Sequence, residues 1–249
     1  MLRFGRRVMG VVAGCVALGG MGSAMPAAAG EMATPLVMAS AVQAETPGAG
    51  SLAALPSPAT VAMDMMRAGR AADALALLDP AAARLSIEGK AGKSRLYCAH
   101  NDRVARGARV LDGDLCDALF IRAFALTEVG RKADAIDALV ELTRLSPDYP
   151  RYFVELAYAY RANRQPDLAL ATYTRAVTIA DAPANREENR HYRAAALRGI
   201  GFVLVDRGDL AAGEKAYRAS LVDDPASAIA ANELKFIARK RADIEQKGG

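Results

Sequence analysis

Tryptophan is absent from these 249 residues, and phenylalanine and tyrosine together supply only 6%. A β-sandwich draws on aromatic and β-branched side chains to fill its faces, so this poverty argues against one. Histidine occurs twice, as His100 and His191, and cysteine three times, as Cys15, Cys98 and Cys116. No Cys-x-x-Cys or His-Glu-x-x-His spacing exists, which removes the usual zinc frameworks. A Gly-x-Ser-x-Gly nucleophile turn is also missing. Gly92-Lys93-Ser94 has the ending of a phosphate loop, but Ile87 stands where the first glycine belongs. Asp112-Gly113-Asp114 is followed by no calcium-loop ligand set and reads as a turn leading into a helix. The pairs Glu187-Glu188 and Asp223-Asp224 read as solvated helix ends. The expectation is a chain with no catalytic residues, no metal and no cofactor, which is not an enzyme and takes no small-molecule substrate.

Charge of one sign is lacking too. The net charge is +4, of which Arg3, Arg6, Arg7 and Glu31 carry half. Along the helical segments the signs are mixed, and only Lys235 to Lys247 leans basic. A nucleic-acid surface needs clustered cations, so none is expected.

What is present begins with a leader. Arg3, Arg6 and Arg7 precede an uncharged apolar run, Val8 to Gly22, and then small residues. This is the layout of a secretory signal peptide over residues 1–29, with cleavage options at Ala24, Ala29 or Ala44. Export to the periplasm is the expectation. The alternatives are an uncleaved anchor or a lipidated Cys15 after Val12-Ala13-Gly14, and membrane contact is expected only in those cases. Residues 30–55 are rich in Ala, Met, Pro, Gly and Ser without periodicity, and read as a linker. Loss of the leader leaves Cys98 and Cys116. An even count in an exported chain favours a disulfide. Two separate thiols, or redox or metal chemistry, are the other readings.

Residues 116–149 and 150–183 are two copies of one 34-residue pattern. Leu119 matches Phe153, Ala123 matches Ala157, Leu126 matches Tyr160, Ala135 matches Ala169, Leu139 matches Tyr173 and Leu142 matches Ala176. A third copy, 194–227, follows a charged insertion at 184–193, and carries Leu197, Gly201, Leu204, Gly213, Tyr217, Ser220 and Pro225 in the same slots. The insertion reads as extra turns at the front of a helix or as a spur for a partner. A degenerate copy is expected at 56–92, with Val61-Ala62, Met65, Gly69 and Ala74 in register and Pro80 breaking its second helix early. Residues 93–115 then form an irregular connector in which Leu96 to Val110 includes a helix. Ile229, Leu234, Ile237 and Ile244 mark a last helix at 228–247, with Lys235, Arg239, Lys240 and Arg241 exposed. Self-similarity at this period is the mark of a helical array, in which no unit buries its apolar face alone.

The pattern resembles the tetratricopeptide repeat. Small residues in the middle of each helix allow close approach, and large ones fill the adjoining holes. Gly130 and Gly208 suit a turn with positive φ, while Pro147 and Pro225 end the second helix. Gly199-Ile200-Gly201 falls at small-residue slots and reads as packing. The resemblance implies an all-α, right-handed superhelix of helix-turn-helix repeats, here closed by a C-terminal capping helix. It also implies that the first helix of each repeat lines a concave groove for a protein or peptide. Carried over, the groove slots are Asp117, Phe120, Phe124 and Thr127, then Arg151, Val154, Tyr158 and Arg161, then Ala195, Arg198, Phe202 and Val205. The aromatic line Phe124, Tyr158, Phe202, flanked by Arg151, Arg161 and Arg198, suits an extended or helical peptide of some acidic character, although rings in these slots also pack between helices. The Lys and Asn set of a carboxylate clamp is absent. The function so implied is a binding scaffold of the bacterial cell envelope. A self-associating or membrane-tethered scaffold is the alternative.

Overall fold

The computed structural model describes residues 56–90, 94–98, 107–183 and 186–248. The expected leader, the linker, Cys15 and the cleavage options lie outside the described residues, as do Lys93, His100 and the start of the charged insertion. Among the described residues there are nine helices: α1 (Pro58–Arg67), α2 (Ala71–Lys90), α3 (Gly113–Glu128), α4 (Lys132–Leu145), α5 (Pro150–Ala162), α6 (Pro166–Ala180), α7 (Arg186–Asp206), α8 (Leu210–Asp223) and α9 (Ala228–Gly248). Two short strands, β1 (Leu96–Tyr97) and β2 (Arg109–Val110), stand between α2 and α3. Each helix packs on the one before it, and α1 also lies on α3 and α5 on α7.

The helices begin where local chemistry dictates. Ser57 caps α1 by accepting from the Thr60 amide, Asp112 caps α3 through the Asp114 amide, and Asp209 caps α8 through the Ala212 amide. Each such cap contributes about 1 kcal/mol. Pro150 and Pro166 open α5 and α6, where no amide is needed.

One turn joins the two helices of every pair. Gly69, Gly130 and Gly208 have φ of 73°, 82° and 88°. In each, the turn residue donates three residues back and its successor five back: Gly130 to Thr127 and Arg131 to Leu126, for example. This is the Schellman arrangement. The second copy lacks glycine there, and Arg164 takes φ 59° instead, with the same pair of bonds to Arg161 and Tyr160. A non-glycine residue in this region costs roughly 1 kcal/mol. The degenerate copy makes the identical turn, from Gly69 to Met66 and Arg70 to Met65.

Small residues are buried where the helices of a pair approach. Ala62, Ala123 and Ala157 are almost without exposure, as are Ala74, Ala135 and Ala169. At Gly213 an added Cβ would lie 2.5 Å from the Val205 Cγ2 methyl and 3.1 Å from the Gly201 carbonyl oxygen, so side chain and backbone of α7 together exclude it. The core is a run of four apolar clusters along the array, as stacking units require.

Pro80 does not end the second helix. α2 continues to Lys90, with Pro80 on its exposed side. The missing amide therefore faces water, and the far half is held by Ala81, Ala82 and Leu85 packing on the front core. The connector differs as well: its described ends are strands. β1 and β2 pair in parallel, Leu96 with Arg109 and Tyr97 with Val110. The Cys98 amide donates to the Leu145 carbonyl at the end of α4. Cys98 and Cys116 lie with Cα atoms 5.8 Å apart and their sulfurs at bonding distance. The clasp thus sits on the start of α3, whose first helical residue, Gly113, precedes the sequence boundary.

The charged insertion is helical from Arg186 and runs directly into the third copy. Arg193 holds it down through ion pairs to Asp181 and Asp223. α9 closes the array with Ala230, Leu234 and Ile237 on Val205, Leu210 and Tyr217. Ile229 and Ile244, expected on that apolar face, are exposed. Ile229 is one position off the packed stripe, and Ile244 lies one heptad past Ile237. Arg241, expected exposed, keeps 41% of its side chain open while pairing with Glu214 at 2.5 Å.

Candidate functional site

The first helices of the copies, α3, α5 and α7, place the slot residues very unequally. Phe120 is 2% exposed. It stands edge-on to Phe124 at 4.8 Å and tilted against Tyr152 at 5.2 Å, inside the cluster that contains Leu96, Leu111 and Cys116. The clasp has enclosed it, so Phe120 is a core residue rather than a contact for a partner. Phe124 is half-buried against the same cluster. Val154 and Val205 are buried as well, and the Thr127 hydroxyl donates back to the Ala123 carbonyl.

Arg198 is a second correction. Its guanidinium donates to Asp224 at 2.8 Å, tying α7 to the end of α8. Its charge is thus already paired with a carboxylate that holds the fold, rather than free for a ligand.

Three of the expected residues come together. The guanidinium carbon of Arg161 lies 4.1 Å from the Phe202 ring centre and 5.0 Å from that of Tyr158. Phe202 is 41% exposed, the most open aromatic of the three ninth slots. Stacking of this kind contributes about 1 kcal/mol and fixes the plane of the fork. The Tyr173 hydroxyl lies beside Arg161, whose charge opposes the upward push of burial on that phenol. The Nε of Arg161 is buried without an acceptor.

Tyr173 reaches Arg161 because Gly199 lets it. A Cβ on Gly199 would stand 2.3 Å from the ring carbon that carries the hydroxyl. Gly201 makes room for Tyr217 in the same way, at 2.9 Å. The two glycines are thus packing residues, and they admit phenols from α6 and α8 to the α7 backbone.

Ten residues before Arg161 on α5, nearly three turns upstream, Arg151 stacks on Phe120 at 4.2 Å. Burial opposes its charge, but the phenols of Tyr192 and Tyr149 and the carboxyl of Glu155 outweigh that and raise its pKa. Tyr149 and Tyr192 join hydroxyls at 3.2 Å, linking the front of α5 to α7. Between the two arginines lies Glu155, which the slot pattern passed over. It is half-buried and makes no ion pair among the described residues. Burial pushes its carboxyl up to about 7, with Arg151 pulling in the other direction. The sequence did hold a signal: Glu155 is four residues past Arg151 and so shares its helix face.

Among the described residues no group of three or more His, Cys, Asp or Glu is placed to hold a metal, and no helix is long and apolar enough to cross a membrane.

No protein-family model matches the sequence, and no curated protein is similar to it. Solved structures are similar in fold. The crystal structure of MamA protein superposes on 74% of this chain and 83% of its own, with a TM-score of 0.50 at 15% identity. The first TPR of Spaghetti (RPAP3), bound to the HSP90 peptide SRMEEVD, covers 53% of this chain and 97% of its own, with a TM-score of 0.45 at 22% identity. The Yersinia enterocolitica type III secretion chaperone SycD, in complex with a peptide of the translocator YopD, covers 52% and 97%, with a TM-score of 0.41 at 20% identity. At such identities the likeness speaks for fold alone. With the repeated turn, the buried small-residue slots and the capping helix, it makes this chain an all-α, TPR-like superhelical array.

Proposed function

We propose that the chain is a non-enzymatic interaction module of the bacterial cell envelope, exported by its leader, which holds a protein or peptide partner on the face of α5 and α7. The observation that carries this reading is the stack of Tyr158, Arg161 and Phe202. It joins an exposed ring to a pre-oriented guanidinium whose Nε has no acceptor. Aromatic and arginine side chains of this kind dominate binding energy at protein interfaces.

The test is in-cell crosslinking of the envelope fraction with the wild-type chain and a Tyr158→Ala, Phe202→Ala double variant. Loss of the crosslinked partner with an unchanged circular-dichroism melt supports the assignment; an unchanged partner set overturns it. Export is tested by fractionation and mass spectrometry of the N-terminus, and Met1 intact in the cytoplasm ends it. In an oxidising compartment the Cys98–Cys116 pair is expected as a disulfide.

A self-associating scaffold is the second reading. It is favoured by exposed Ile229, Phe236 and Ile244 on α9. Light scattering that finds only a monomer over the working concentration range removes it.

A further inference from the structure

The α5 face is unusual in its arginines. Arg193 and Arg198 on neighbouring α7, and Arg207 in the turn just past its end, are all held by carboxylates. Arg151 and Arg161 are instead stacked on rings and make no ion pair among the described residues. Ten residues separate them, or about 15 Å along the helix axis. An extended chain rises about 3.3 Å per residue, so carboxylates four or five positions apart span that distance. An acidic group also supplies the opposite charge that the ring-stacked Arg161 guanidinium lacks among the described residues.

Glu155 lies between the two arginines on the same helix. Arg151 and Tyr158 flank it on α5, Tyr173 approaches from α6, and Tyr192 from α7. His191 stacks on Tyr192 and feels the charges of Arg151 and Arg190. An ionised Glu155 repels an acidic ligand at this spot. A protonated one donates a hydrogen bond to it instead.

We propose that the partner presents an acidic segment whose carboxylates engage Arg151 and Arg161, and that Glu155 takes one proton from water as the segment seats. This rests on the α5–α7 binding face proposed above and names the chemistry of its occupant. Free Glu155 titrates near 7, so the ionised form dominates at higher pH and must be neutralised before binding.

The experiment uses the full exported chain and three labelled 12-residue peptides: one with two glutamates five positions apart in an Ala/Leu background, one with lysines there, one with serines. Fluorescence anisotropy gives affinities at pH 6.5 to 8.5, and calorimetry in two buffers of different ionisation enthalpy counts protons. The glutamate peptide is expected to bind best, with uptake of up to one proton. Its affinity falls roughly tenfold or more from pH 6.5 to 8.5, since only the protonated fraction of Glu155 is competent. Glu155→Gln keeps the tight binding at pH 8.5, and Arg161→Gln loses about tenfold or more at every pH. His191, whose pKa burial lowers from 6.5, is neutral above pH 7, so His191→Gln retains the profile there. Flat affinity without proton uptake overturns the role of Glu155, and preference for lysine or serine overturns the acidic partner. Either result leaves the binding face standing. If no peptide binds and crosslinks persist in the Tyr158→Ala, Phe202→Ala variant, the binding face falls as well.

Discussion

The front and the rear of the array use the same slots to opposite ends. In the front copy, the β1–β2 clasp and Cys98 lie over α3, and the aromatic slots turn into core: Phe120 is buried and Phe124 leans on it. In the rear, α7 follows α5 with no intervening clasp, and Phe202 keeps 41% of its surface open beside Arg161. Equivalent positions in a repeat therefore do not have equivalent roles. What covers each helix decides, and a short connector is enough to convert a groove position into a packing one.

That contrast can be broken most sharply at Phe120 and Phe202. Phe120→Ala is expected to cost about 4 kcal/mol, as emptying a buried aromatic site does. Phe202→Ala is expected to cost under about 1 kcal/mol. Urea denaturation of both variants checks this, and equal losses would erase the distinction between front and rear. The clasp itself comes next. Closing an 18-residue loop contributes on the order of 3 kcal/mol in the chain-entropy account. Intact mass with and without reductant shows whether the bond forms, and Cys98→Ser with Cys116→Ser shows by its melting temperature what it adds.

In the rear, Gly199→Ala is expected to cost about 2 kcal/mol, because its Cβ meets the Tyr173 ring at 2.3 Å. Gly89→Ala meets nothing within 4 Å and is expected to gain up to about 1 kcal/mol from helix propensity. Thermal melts of the pair separate close packing from backbone preference.

Glu155 gives a pH-dependent effect. Its carboxyl rises from 4.5 to about 7 on folding. The folded state then holds a proton that the unfolded state has released, so stability falls as pH rises from 4.5 to 7. Glu155→Gln is expected to remove that slope and to be the more stable chain above pH 7, by about 3 kcal/mol. Denaturation midpoints at pH 5 and pH 8 measure it; parallel wild-type and variant curves would deny the carboxyl its burial. Smallest of all is Arg207→Gln, since its partner Asp167 is 91% exposed and such pairs contribute about 0–1 kcal/mol.

Much of the fold was legible because repetition averages out local ambiguity. Ala123, Ala157 and Gly201 align only if three helices are packed alike, and the turn glycines mark where each chain reversal falls. Arg164 was visible as a departure, and the structure shows that the turn overrode its preference. Pro80 misled because a lone proline reads as a stop, whereas its exposed position left the helix little to lose. The clasp was not legible: β1 and β2 have two residues each, too few for any periodicity. Of the groove slots that the resemblance implied, Tyr158, Arg161 and Phe202 lie together in one stack. Phe120 and Arg198 were misassigned because their neighbours, the clasp and Asp224, are remote in sequence. Glu155 was passed over because a glutamate on a helix face reads as solvated until the helices on either side are known.

The sequence by itself determined the repeat length, the small-residue contacts and the turns, since these depend on residues within one helix-turn-helix unit. The tertiary structure alone decided which face stays open, which arginines are already neutralised and which carboxyl loses its water. Those properties arise from what other units place against a side chain, and no period within the chain records that.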